Sequence, residues 1–395
     1  MEPQTKVPTE KPSRKKKTEP VEPIQYIKPA FGFESTWRLS KARAKEQYQF
    51  DKNEESLGGY DLSNLANDEL RDDDFFYKKF LELGCWESIG YDPRNIEIPS
   101  KKIRTKDTER FLKSFTKLKK LLYKQSKLVP SSVGVNPNFD GGGHIHLDYS
   151  EMFGKMEDKR DYKNRATANN RKEVFGLFIA NITNYLCNNP WILWSFNNPQ
   201  DNENALCPLN ITLLNNKLTN LTTYGLFRKS ISAQRRCLGD IGGLKNKTYA
   251  TPIRSTYSTI EFRFFTMPAC EHELQLHLDL AYGIYEYCFN LAIEGIGIVR
   301  KYRSSSDLRK ITFEESYAGL HQVCKDLKIK FSRLQSFGKI RDLKTRYAIE
   351  KYIREDLKEK GWESNFSSSE LNQFLVALLL KPYLSHHQLH LTMLN

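Results

Sequence analysis

The segment Asp140–Asp148, "DGGGHIHLD", decides how the rest of the chain is read. Glycines run directly into two histidines spaced one residue apart. An aspartate follows two positions later. Side chains two apart in a β-strand project from the same face. In a strand, His144, His146 and Asp148 therefore share one face, and Ile145 and Leu147 share the other. The same alternation recurs elsewhere. "GFEST" puts Glu34 and Thr36 together, "NIEIP" sets Glu97 between two isoleucines that point the other way, and "TIEFRFF" puts Glu261 beside Arg263. Each of these strands carries polar, mostly ionisable groups on one side and apolar groups on the other. Isolated buried carboxylates are costly, so such a face needs a counter-charge or water, and metal ions, an arginine and a phosphorylated ligand would all satisfy it. The pattern predicts an open antiparallel sheet whose concave polar face is a catalytic floor, with Glu34, Glu97, His144 and Glu261 converging on one cavity.

Helical periods surround these strands. Phe111, Phe115, Leu118 and Leu122 mark an amphipathic helix over 107–128, with Lys113, Lys117, Lys120 and Lys124 on its other faces. Those lysines are either a phosphate-contacting face or a solvated one. Val174, Phe178, Ile182 and Tyr185 mark a second helix, stopped by "NNP" at 188–190. "RDDDFFYKKFLEL" has a helical period, and "CWESIGYDPRNIEIPSK" reads as a strand, a turn at Asp92-Pro93 and a strand ending at Pro99. "STYSTIEFRFFTM", 255–267, reads as one buried strand, followed by a helix from Leu274 to Ala292 that ends near Gly295. Beyond about residue 300 the pattern is helical and basic, and a capping box runs from Ser367 to Glu370.

The chain of 395 residues, 39% apolar and 12% aromatic, is long enough for a large core. Its net charge of +13 favours an anionic partner such as nucleic acid, an anionic surface or a phosphorylated substrate. No apolar run reaches the length of a membrane span, and the charged, proline-rich start is not a secretory signal. Seven cysteines without CxxC pairs argue against a disulfide framework or zinc ribbon and for a reducing, cytoplasmic-type compartment. The expected division is a disordered basic tail over 1–28 with "SRKKK" at 13–17, a catalytic domain over 29–299 interrupted by an insertion at about 38–84, and a helical region over 300–395. The basic run is a solvated tail, a localisation signal or an arm for an anionic partner. "HELQLH" at 272–277 is not a metalloprotease box, because histidines five apart do not share a helix face.

The ordered motifs Gly32-Phe33-Glu34, Glu97-Ile98-Pro99-Ser100, Gly143-His144-Ile145-His146 and Thr259-Ile260-Glu261-Phe262-Arg263, followed by a long amphipathic helix, resemble the amidoligase family. These are carboxylate–amine ligases of the glutamine synthetase and glutamate–cysteine ligase fold. The resemblance covers about 29–297. The second glutamate of the family's first motif is Thr36 here. The resemblance implies an α+β fold and ATP-dependent amide-bond formation through an acyl phosphate, with ATP and Mg²⁺ or Mn²⁺ required. The acid would be an amino-acid, peptide or protein carboxylate, and an amine would be the second substrate. It further implies Glu34, Glu97, His144 and Glu261 as metal ligands and Glu261, His146 and Arg263 as catalytic groups. Arg263, Arg254, Arg235 and Gly143 would contact the nucleotide or substrate, with Arg236 a looser candidate. The glycines Gly141–Gly143 either let the backbone approach a ligand or form a flexible turn.

Two other functions fit parts of the sequence. A histidine–hydrophobic–histidine endonuclease would use "HIH" with Tyr347 of "YAIEK", although that tyrosine lies some 200 residues away and "IEFRFF" is unexplained. A degenerate ligase fold acting as a structural or nucleic-acid-binding protein would accommodate Thr36, the basic tail and the helical C-terminal region.

Overall fold

The computed structural model describes residues 24–40, 73–92, 95–133, 142–154, 165–196, 253–254, 258–299, 301–302 and 310–344, with single positions 42 and 70. The protein is α+β and mostly helical, with a small open antiparallel sheet. Its strands are β1 (Phe31–Leu39), β2 (Gly90–Asp92), β3 (Asn95–Pro99), β4 (Leu128–Pro130), β5 (His144–Asp148), β6 (Ile253–Arg254) and β7 (Thr259–Phe262). They lie in the order β2-β3-β1-β5-β7-β6, with β4 also pairing β1. The longest strand is therefore central, between β3 and the histidine strand.

Alternation along β1 sorts the sheet into two faces. Phe31, Phe33, Trp37, Ile96, Ile98, Ile145, Leu147, Ile260 and Phe262 are all buried on one side. That side is covered by α2 (Thr108–Ser126) and α6 (Glu271–Ile293). Phe111 of α2 sits with its ring 5.1 Å from Phe31, 6.2 Å from Phe33 and 5.3 Å from Trp86. Helix α1 (Asp74–Glu82) is capped by Asp73, whose side chain accepts from Phe76 N at 2.9 Å, and it packs on α2 through Phe76 and Phe80. Two further elements are α3 (Ser150–Phe153) and α4 (Arg165–Asn188), the latter lying along α6. Pro190 opens a further short helix, α5 (Pro190–Phe196), where the sequence pattern shows only a stop.

The strand expected over 255–267 is shorter. Residues 255–257 lie outside the described residues, and the ladder with β5 ends at Ile145↔Phe262. Its partner β5 starts at His144, so pairing runs out there, and only an isolated bridge from Gly142 to Thr266 continues it. The boundary drawn near residue 300 does not interrupt packing. Helix α7 (Phe313–Asp326) lies on α5, and a Cβ on its Gly319 would fall 2.2 Å from the Trp191 ring, so only glycine lets the helices approach this closely. Leu320, Val323 and Leu327, together with Leu334 of α8 (Phe331–Ser336), join the same apolar core as Phe33 and Ile145. The tail over 1–23, most of the 38–84 segment and the capping box at Ser367 lie outside the described residues. Among the described residues, no helix is long and apolar enough to cross a membrane.

Candidate functional site

The other face of the sheet gathers ionisable groups from three adjacent strands. The register sets Glu34 of β1 opposite His144 of β5, and His146 of β5 opposite Glu261 of β7. His144 Nδ1 lies 3.2 Å from Glu34 Oε2 and 3.5 Å from Glu261 Oε1, so one imidazole spans both carboxylates. His146 Nε2 approaches Glu34 Oε1 at 3.0 Å, although its direction leaves this nitrogen without a well-aligned hydrogen bond. Arg263, one residue beyond β7 and two from Glu261, donates from Nη1 to Glu261 Oε1 at 2.6 Å. The Glu261 side chain is only 1% exposed.

Burial alone would raise the Glu34 pKa, but the hydrogen bond with His144 and the close approach of the His146 imidazole outweigh it and hold this carboxyl well below the usual range. Two carboxylates, Glu34 and Glu261, thus face one guanidinium and two imidazoles in a partly enclosed space. Glu34, His146 and Glu261 each present a donor atom, all within 4.8 Å of one another. Two carboxylate oxygens and an imidazole nitrogen at that spacing suit a divalent cation, so the residues present fit a Mg²⁺ or Mn²⁺ ion.

A neighbour fixes one ring. The His146 Nδ1 edge meets Thr259 Oγ1 at 3.3 Å, which leaves Nε2 toward Glu34. Thr259 shares its strand face with Glu261, so alternation alone identifies it as a site residue. Asp148, although in register with this face, is used elsewhere: it pairs with Lys102 and accepts from Ser150 N at 2.6 Å at the start of α3.

Other expected residues are placed differently. Glu97 stands opposite Thr36 on β3, three strand spacings from Glu261, about 14 Å across the sheet, and a further four residues along the strands. It does not join the Glu34–His146–Glu261 group. Thr36 is buried, its hydroxyl 2.8 Å from Ser131 Oγ and 3.2 Å from the Gly142 carbonyl it donates to. A glutamate there would meet packed chain rather than an open cavity. Gly143 is likewise hemmed in by the chain itself: a Cβ would lie 2.8 Å from Pro268 Cδ, and one on Gly142 would lie 2.7 Å from the Phe265 carbonyl. Both glycines thus let this edge approach the 265–268 segment closely, and the ligand approach expected of Gly143 meets the protein's own chain at this point. Gly141 lies outside the described residues, as do Arg235, Arg236 and Tyr347. Arg254 is at the register position opposite Thr259.

His272 and His277 of "HELQLH" do diverge, since His272 is exposed and His277 fully buried. His277 stacks on Phe265 with ring centroids 4.7 Å apart. Burial drives its pKa down to about 3, Lys339 acts the same way, and Glu273 opposes them. Lys339 in turn pairs with Glu273 at 2.8 Å. The described cysteines, Cys85, Cys187, Cys270, Cys288 and Cys324, are free. No protein-family model matches the chain, and neither does any curated protein sequence.

Proposed function

We propose that the protein is an ATP-dependent carboxylate–amine ligase of glutamine synthetase-like fold, working in a reducing, cytoplasmic-type compartment. The observation that carries this reading is the meeting of Glu34, His144, His146, Glu261 and Arg263 on the polar face of an antiparallel sheet, from motifs widely separated in sequence. Glu34, His146 and Glu261 would hold a divalent ion, with His144 bridging the two carboxylates. When bound, that ion would neutralise phosphate charge.

The chain's own groups have separate tasks. Arg263 is anchored by Glu261 at one nitrogen, and its planar fork leaves further donors for phosphoryl oxygens. Thr259 orients His146. Glu34 stays ionised across the physiological range, because its imidazole neighbours favour the charged form. ATP would phosphorylate the substrate carboxylate, and an amine would then displace phosphate from the acyl phosphate. The proposal is tested by incubating the full chain with ATP, Mg²⁺ or Mn²⁺ and pools of amino acids and small amines. Phosphate release that depends on one acid–amine pair is expected. Its absence across all pools, from folded protein that binds the metal, would favour the degenerate-fold reading.

A further inference from the structure

On the opposite side of the sheet from the Glu34 cluster, α2 turns a line of cations to solvent. Arg110, Lys113, Lys117, Lys120 and Lys124 are all exposed. At 100° per residue they fall within an arc of about 80°, on the side of the helix away from Phe111, Phe115, Leu118 and Leu122. The line runs about 21 Å, with a positive charge roughly every 5 Å. Only Lys113 has a carboxylate partner among the described residues, Glu109 at 2.6 Å.

The line borders a cavity of about 440 Å³ between α2 and the end of α1. Lys106, Arg110, Lys113 and Lys117 form one wall, and Glu82 and Leu83 lie on the other. Four cations against the two carboxylates Glu82 and Glu109 leave the lining positive. Asp73 bonds to Gln125, which ties the start of α1 to the end of α2. Two exposed rings lie toward the Lys124 end, Phe75 in the first turn of α1 and Tyr123 on α2 about 60° beyond the edge of the cation arc. Phe75 is 66% exposed with Lys79 over its ring at 6.0 Å, and Tyr123 is 49% exposed with Lys127 over its ring at 5.0 Å.

We propose that this face binds single-stranded nucleic acid, with the α2 cations following the phosphates and Phe75 and Tyr123 stacking on bases. A row of cations beside exposed aromatics is the chemistry that holds single strands without sequence preference. An acidic polypeptide would use the cations but not the rings, and duplex DNA would offer the rings no open base. The inference does not rest on the ligase reading.

The test is fluorescence anisotropy of a labelled single-stranded 20-mer, either oligo-dT or oligo-rU, titrated with the full chain at several salt concentrations. Lys117→Gln, Lys120→Gln and Lys124→Gln combined should weaken binding at least tenfold. The same triple variant should reduce the salt slope by about 2, because each phosphate neutralised on a single strand adds roughly 0.7 to that slope. Neutralising Lys15, Lys16 and Lys17 should cost less than threefold. Tyr123→Ala should weaken single strands more than a duplex of the same length. Unchanged binding in the triple variant with native circular dichroism would overturn the proposal. So would an equal loss from the tail variant, or poly-glutamate competing as well as oligonucleotide.

Discussion

The two faces of the sheet are made by the same backbone, one residue out of phase, and face opposite demands. The apolar face is satisfied within the chain, because Phe33, Ile145, Leu147 and Phe262 meet α2 and α6 and exclude water. The polar face places Glu34 and Glu261 beside two imidazoles and one guanidinium and keeps Glu261 almost fully out of solvent. A purely structural sheet gains nothing from that cost, since apolar side chains of similar volume often serve as well or better than buried ion pairs. The contrast is that one face supplies folding energy and the other carries a costly cluster of charges, which the proposed ligase reading assigns to a ligand.

Variants on each face sharpen this contrast. The largest effect is expected on the apolar side. Phe111→Ala removes a ring packed against Phe31, Phe33 and Trp86 and should cost about 3–5 kcal/mol in urea unfolding. A cost below about 1 kcal/mol would mean that α2 does not anchor the sheet.

Arg263→Lys comes next, and acts on turnover rather than on folding. The charge remains but the planar fork is lost, so phosphate release should fall by about 10² or more, with apparent ATP affinity within a few-fold and the melting temperature near native. Near-normal turnover would reduce Arg263 to a structural partner of Glu261. Thr259→Val removes the hydroxyl beside His146 Nδ1. It should weaken Mn²⁺ binding by roughly tenfold, the lower end for removing the partner of a ligating histidine, and leave stability little changed. Unaltered Mn²⁺ affinity would show that the ring is oriented by other groups.

The last effect is a pH dependence and concerns His277, behind the site. Its folded pKa of about 3 lies below the ordinary 6.5, so the unfolded chain takes up a proton first as pH falls. Stability is therefore lost as pH drops from 6.5 toward 3, at up to about 1.4 kcal/mol per pH unit from this group. His277→Phe conserves the stack on Phe265 and should flatten that part of the acid slope, with stability at pH 7 within about 1.5 kcal/mol of native. An unchanged slope from 6.5 to 3 would assign acid sensitivity to other groups, Glu273 first, whose folded pKa is also lowered.

What the sequence showed depended on the range of the interaction. Alternation is local, so the shared faces of His144 with His146 and of Glu261 with Arg263 could be read directly. The amphipathic period of α2 is local too, and its solvent side could be read as cationic. Strand order is not local. Nothing in "NIEIP" tells that β3 pairs with the far side of β1, which leaves Glu97 three strands from Glu261. The reach of the helices beyond residue 300 was hidden for the same reason, since the Gly319–Trp191 contact joins segments more than 120 residues apart. Asn181, Asn184 and Asn188 on α4 were equally silent in sequence, yet their side-chain amides donate to the carbonyls of Ile296, Ile298 and Val299 and hold the chain leaving α6.

The central claim, that the polar face exists to hold a divalent ion, is tested most directly by Mn²⁺ binding to the full chain, followed by electron paramagnetic resonance. One ion per chain is expected, with affinity reduced at least tenfold in Glu34→Gln and in His146→Ala while both variants keep native circular dichroism. Absence of bound Mn²⁺ up to millimolar concentration, or undiminished binding in both variants, would contradict it.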